Sequence, residues 1–137
     1  MGFLSRWSPQ LLSVLRIVTA LVFIEHGTSK FFHFPMSMGP GSPTGLMLVA
    51  GLLEVVGGAL ALLGLFTRPV AFLLSGQMAV AYWMVHAKMG PYPVVNMGEP
   101  AVLYCFIFLY LAAAGAGPWS LDKALFDRRR GLEPAAA

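Results

Sequence analysis

The sequence predicts an all-α membrane protein, a four-transmembrane-helix bundle followed by a short C-terminal amphipathic helix on the membrane surface. Three observations carry that expectation. Of the 137 residues, 58% are hydrophobic and only 11% are charged, whereas a soluble domain carries about 25% charged residues. The apolar residues gather in four runs, at about 10–32, 44–66, 69–86 and 100–116, and a hydrocarbon core needs roughly 20 helical residues to cross it. The breaks between runs hold the turn-forming residues: three prolines and two glycines in His33–Pro43, then Thr67–Arg68–Pro69, then two prolines in Ala87–Gly98. The length suits one compact bundle over residues 1–137, without a second domain.

The elements follow in order. Residues 1–9 form a short amphipathic lead, with Arg6 and Trp7 suited to a membrane interface. The first helix is expected to be retained, because Arg16 interrupts what would be the apolar core of a signal peptide and no small-x-small site follows. In the second helix Glu54 lies near the middle. Ala50, Gly51, Gly57, Gly58 and Ala61 share its face, and small residues let neighbouring backbones approach closely. Glu54 is therefore expected in a helix–helix contact rather than in lipid.

Thr67–Arg68–Pro69 reads as a tight turn. The third helix carries Gln77 near its centre, a partner for Glu54, and Tyr82, Trp83 and His86 near its far end. The fourth opens at Glu99–Pro100, with proline at a first-turn position and an acid beside the positive end of the helix dipole. Gly117–Pro118 ends it. Residues 119–130 then suit a surface helix capped by Ser120, and 131–137 a frayed tail. The single cysteine, Cys105, lies in an apolar run, so neither an internal disulfide nor Cys-x-x-Cys chemistry is available.

Charge sets the expected orientation. Four spans put both termini on one side, together with Arg6, Arg16, Arg68, Lys123 and Arg128 to Arg130; only Lys30 and Lys88 fall on the other. The positive-inside rule then makes both termini cytoplasmic. It also accounts for the net charge of +3 without invoking nucleic acid.

The first helix carries four ionisable residues, Arg16, Glu25, His26 and Lys30. Each is costly in hydrocarbon unless it finds a partner or water. Arg16, Thr19, Phe23, His26, Gly27 and Lys30 fall within a stripe of roughly 100°, while Glu25 points almost the opposite way. With Arg16 and Lys30 the plain reading is a side chain near headgroups, Lys30 snorkelling to the interface. Glu25, His26, Lys30, His86, Lys88, Asn96 and Glu99 lie toward one leaflet, and Glu54 near the midplane. Glu25, His26, Lys30 and Glu54 are candidates for proton chemistry; His26, Lys30, His86 and Glu99 are candidates for holding a cofactor.

Several chemistries use such residues. His26 and His86, at matched depth, would suit a haem. With Glu25 and Glu99 they include metal-ligand types, yet no ligand spacing supports a metal site. A quinone pocket needs an apolar slot, hydrogen-bond donors and a proton-exchanging group, and His26, Lys30, Glu25 and Glu99 among aromatic residues would supply these. A proton or small-solute path would use the same residues, with Glu54 as its midplane station.

Several separated motifs resemble those of the DoxX family of small bacterial membrane proteins. They are Arg16 with Phe23–Gly27 and Lys30–Phe32; Gly51–Glu54, Gly57–Gly58, Leu63–Leu65 and Thr67–Arg68; and Asn96, Gly98–Glu99, Ala101, Leu103–Tyr104 and Gly117–Asp122. One departure is the missing second glycine directly after Pro118, which affects a turn. The resemblance implies a four-helix inner-membrane protein. Related members are associated with thiosulfate:quinone oxidoreduction or with membrane-bound oxidoreductase complexes that handle oxidative and thiol stress. A fold does not carry an activity with it.

The combined expectation is a lipid-embedded, multi-pass subunit of a redox complex working at a membrane quinone. Its partners would be other oxidoreductase subunits or soluble redox enzymes, and a homo-oligomer suits so small a unit. His26 or Glu25 would exchange the proton and Lys30 would stabilise a quinone oxygen. The alternatives are a small proton-coupled transporter built on Glu54, and a scaffold that holds soluble partners through Arg128–Arg130.

Overall fold

The computed structural model describes residues 2–37 and 41–132, and among these every regular element is helical. α1 is Gly2–Ser5 and α2 is Ser8–Phe31. α3 spans Gly45–Leu63 and α4 Thr67–Met89. α5 is Glu99–Ala114 and α6 is Leu121–Leu132. α2, α3 and α4, with 24, 19 and 23 residues, are each long and apolar enough to cross a membrane. α5 is apolar but has only 16 residues, about 24 Å of helix.

The four expected spans thus stand as four helices, with ends displaced by a few residues. The C-terminal ends of α3 and α4 each move by three residues, and α5, expected to reach 116, stops at Ala114. Gly115, at φ 93°, leaves helical conformation, and the chain continues as a buried irregular segment through Ala116. The surface helix runs on to Leu132, so residues 131 and 132 are helical rather than frayed. The rest of the expected tail lies outside the described residues.

The reversal between α3 and α4 also falls earlier than Thr67–Pro69. Gly64 adopts φ +67°, a left-handed conformation natural to glycine at a helix C-terminus. Its N–H donates to Ala61 O and that of Leu65 donates to Leu60 O. Pro69 then sits in the first turn of α4, where a missing N–H breaks no helical bond. The amides of Phe66 and Thr67 donate to the two Asp122 carboxylate oxygens, both at 2.8 Å. Ser120 caps α6 as expected, accepting from Lys123 N at 3.2 Å.

The apolar core around Phe23, Leu74, Phe108 and Leu111 is joined by buried polar side chains, while many large apolar ones lie outside. Ser13, Arg16, Thr19 and Glu54 are buried, while Val18, Phe72, Leu73, Val80 and Phe106 are exposed. Exposed apolar side chains of this kind suit a lipid surround, and small residues and polar contacts add to the packing of the interior. Antiparallel α2 and α3 approach closely. A methyl group on Gly27 would lie 2.6 Å from Val55 Cγ2 and 3.0 Å from Val55 N. One on Gly58 would lie 2.6 Å from Ile24 Cγ1, and one on Gly51 would lie 2.7 Å from Phe31. Gly27→Ala should therefore force the helices apart and cost about 1–3 kcal/mol. The check is a lower melting temperature in detergent; an unchanged one would show that the seam can relax.

Two turns of wider helix break the α-helical ladder, a π-turn at Leu53–Gly57 in α3 and another at Tyr82–His86 in α4. Each adds one residue to a turn, a phase change of about 100°. The first contains Glu54 and the second ends on His86. The apolar pattern predicts plain helices at both places, because inserting one residue leaves no mark in composition.

Candidate functional site

Glu54 lies at a junction of three helices. Its Oε2 is 2.6 Å from Lys30 Nζ, and its Oε1 accepts from Gln77 Nε2 at 3.2 Å. Gln77 Nε2 also donates to Ala50 O at 3.3 Å, so α2, α3 and α4 are tied at one point. Both ion-pair side chains are almost sealed, at 8% exposure for Lys30 and 5% for Glu54. The Gln77 partnership follows the midplane placement read from the sequence. Lys30 does not snorkel outward, and the structure corrects that expectation. Helical side chains lean toward the N-terminus, so the Lys30 stem turns down into the bundle and also reaches the carbonyl of His26 at 3.4 Å. The depth separation of Lys30 from Glu54 fails for the same reason.

His26 faces a different neighbour. Its ring meets that of Tyr104 on α5 edge-on, with centroids 5.8 Å apart. Phe23 lies beneath, in edge contact with Tyr104 at 5.2 Å and with Phe108 at 4.9 Å. α4 and α5 pack along much of their lengths, whereas α2 meets α5 chiefly through these aromatic rings. His26 and Tyr104 are both half-buried, and the His26 ring nitrogens and the Tyr104 hydroxyl make no hydrogen bond among the described residues. Glu25 is exposed yet close enough to act electrostatically on both His26 and Tyr104.

The remaining candidates stand apart from the ion pair. His86 Nδ1 lies 3.0 Å from Asn96 O, and its ring stacks on Tyr82. Asn96 is itself buried, donating to Gly90 O and accepting from Gly98 N, both at 2.8 Å. His86 thus fastens the α4–α5 loop. Glu99 is exposed at the start of α5 and makes no hydrogen bond among the described residues. Among those residues no three His, Cys, Asp or Glu side chains converge as a metal site would require.

Arg16 is fully buried and serves the opposite end of the bundle. Its Nε donates to Ala116 O at 2.8 Å and its Nη1 to Ala61 O at 2.6 Å. Nη1 also donates to Leu62 O, and Nη2 to Trp119 O. The guanidinium so closes the last turn of α3 and the α5–α6 connection together. The headgroup position expected for Arg16 is replaced by this internal clasp, because orphan carbonyls near the membrane need a donor.

Compared with known proteins, the chain matches the DoxX family model over residues 11–87, more than half of its length. The chain belongs to the DoxX family. It is 46% identical over 134 residues to an uncharacterized protein of Haemophilus influenzae, covering 93% of this chain and all of that one. It is 34% identical to the inner membrane protein YphA of Escherichia coli, over 84% of this chain and 90% of YphA. A relative from Bacillus subtilis named "Putative oxidoreductase CatD" is 28% identical, over 85% of this chain and 88% of that protein. No solved structure matches.

The matched DoxX segment contains Arg16, His26, Lys30, Glu54, Gln77 and His86. Tyr104 and Trp119 lie beyond it, yet they complete the His26 seam and the Arg16 clasp. Side-chain chemistry alone does not single out Tyr104. Its only sequence signal was its place in the last DoxX-like motif, since a tyrosine in an apolar helix is common near interfaces.

Proposed function

We propose that this DoxX protein is the membrane subunit of a redox assembly and engages a membrane quinone at the seam between α2 and α5. The carrying observation is the His26–Tyr104 pair, two half-buried hydrogen-bonding side chains with no hydrogen bond to another described residue, in a thinly packed aromatic seam. Both side chains are only half-buried, so their polar atoms stay accessible, and the seam suits a ligand with acceptor oxygens and an apolar ring. The residues fit that group: Phe23 and Phe108 supply the apolar wall, and His26 and Tyr104 supply donors. A bound quinone would bring two-electron, two-proton redox chemistry. His26, beside exposed Glu25, is suited to pass a proton between the seam and the membrane surface. Lys30 and Glu54 hold a proton-exchanging pair one helical turn away, linked to His26 through the His26 carbonyl.

The name of the Bacillus subtilis relative supports an oxidoreductase setting. The YphA name and the excess of basic residues at the terminal end support an inner-membrane location with both termini cytoplasmic. Partner redox subunits and a second copy of the chain are part of the same reading.

The test is mass spectrometry of the organic extract from protein purified in mild detergent. The expected result is near-stoichiometric isoprenoid quinone in the parent protein, reduced at least about tenfold in a folded His26→Ala variant, the loss of roughly 1.4 kcal/mol of binding. Quinone absent from the parent, or equal in both, would overturn the proposal. Absence would direct attention to proton or solute flux in liposomes and its loss in Glu54→Gln.

A further inference from the structure

A groove of about 610 Å³ opens at the terminal end of the bundle, between the start of α4, the end of α5 and the flank of α6. That volume is in the range of small-molecule sites. Its walls are largely apolar, with Phe66, Pro69, Pro118 and Phe126 among them, and Arg68 and Lys123 supply its positive charge. We propose that this groove binds an anionic phospholipid, with the headgroup phosphate against Arg68 and Lys123 and the acyl chains passing over the apolar wall into the bilayer.

Arg68 is the main argument. Its Nη1 donates to Ala113 O at 2.6 Å and Ala112 O at 3.2 Å, which fixes the guanidinium against the last turn of α5. Its Nε and Nη2 make no hydrogen bond among the described residues, so one edge of the fork remains open. That edge lies over Gly115, where an added Cβ would come within 3.4 Å of Nη2 and 3.7 Å of Nε. A planar, fixed pair of N–H donors is the geometry that matches a phosphate in two-point contact.

The two nearby acids are already engaged. Asp122 also lines the groove, but both of its oxygens are held by the amides of Phe66 and Thr67. Lys123 pairs with Asp127 four residues along α6, with both side chains about half exposed, and such pairs contribute little. Lys123 is therefore free to turn to a stronger anion.

The groove's position selects a lipid over a soluble anion. It lies where α4 enters and α5 leaves the apolar slab, and the exposed rings of Phe66 and Phe126 extend its wall toward the acyl chains. α6 is amphipathic, with Leu121 and Leu125 also exposed, as suits a helix lying in the headgroup layer.

The experiment is native mass spectrometry of delipidated protein in non-ionic detergent, titrated with dioleoyl phosphatidylglycerol or dioleoyl phosphatidylcholine, with and without inorganic phosphate. Phosphatidylglycerol should bind at least about tenfold more tightly. Folded Arg68→Gln should remove most of that preference, and Lys123→Gln should weaken binding about fivefold, the worth of one cation near an anionic surface. Lys123→Gln breaks only an exposed pair, so it remains informative if Arg68→Gln fails to fold. Equal binding of the two lipids, no lipid bound, or an unaltered preference in both variants would overturn the proposal. Displacement of phosphatidylglycerol by millimolar phosphate would also overturn it, by showing a free-anion site.

Discussion

Arg16→Ala should leave little folded protein in the membrane, and Arg16→Lys should rescue little of the loss. The arginine donates from three nitrogens to four carbonyls, two at the end of α3 and two in the α5–α6 connection. Removing it strands buried acceptors at about 1–3 kcal/mol each. Even with partial relaxation the total is of the order of 4 kcal/mol or more, against a whole-protein stability of about 5–15 kcal/mol. A lysine keeps the charge but offers donors from a single point, and it cannot span carbonyls on two separate segments as the guanidinium fork does. The measurement is the monodisperse fraction on size-exclusion chromatography in mild detergent, followed by a melt of whatever survives. A well-folded Arg16→Lys variant melting near the parent would show that the fork geometry is dispensable.

Single replacements in the Lys30–Glu54 pair should be far worse than replacing both. Lys30→Met leaves a buried carboxylate and Glu54→Leu leaves a buried ammonium, each costing about 3–5 kcal/mol when the remaining charge has no partner. The combined Lys30→Met/Glu54→Leu variant exchanges the 2.6 Å ion pair for apolar contacts of similar volume, and such exchanges are often neutral or stabilising. Thermal unfolding of all four proteins in one detergent gives the coupling energy directly. A double variant as unstable as the worse single one would mean that the pair shapes the fold in ways apolar packing cannot replace. The stable double variant also separates roles: if the pair handles protons, it should bind quinone as the parent does while failing in coupled turnover.

The residues that were legible and those that were not divide along a physical line. Helix number and approximate length were read from apolar runs, because crossing hydrocarbon imposes a length and a composition on each helix separately. The α2 stripe was read from helical period, and Arg16, Thr19, Phe23 and Gly27 are buried on it as the period requires. The Gln77–Glu54 contact is legible because a lone amide and a lone acid at similar depth have few other partners. The position of Lys30 is not legible, because depth along the chain says where a Cα lies and not which way a four-carbon stem leans. Glu25 and Glu99 were grouped with Lys30 by depth, and the structure leaves both exposed.

By itself, then, the sequence determined a helical membrane bundle, its family and the polar residues that need partners, since all three follow from composition, period and local motif. Only the tertiary structure decided which partners those residues take. It closed Arg16 onto carbonyls more than forty residues away, turned Lys30 inward to Glu54, and set His26 against Tyr104 rather than His86. It also introduced the π-turns that carry Glu54 and His86. The reason is that a buried polar group in lipid must find a donor or acceptor among whatever the packing brings near, and helix packing is a property of pairs of surfaces that no single segment encodes.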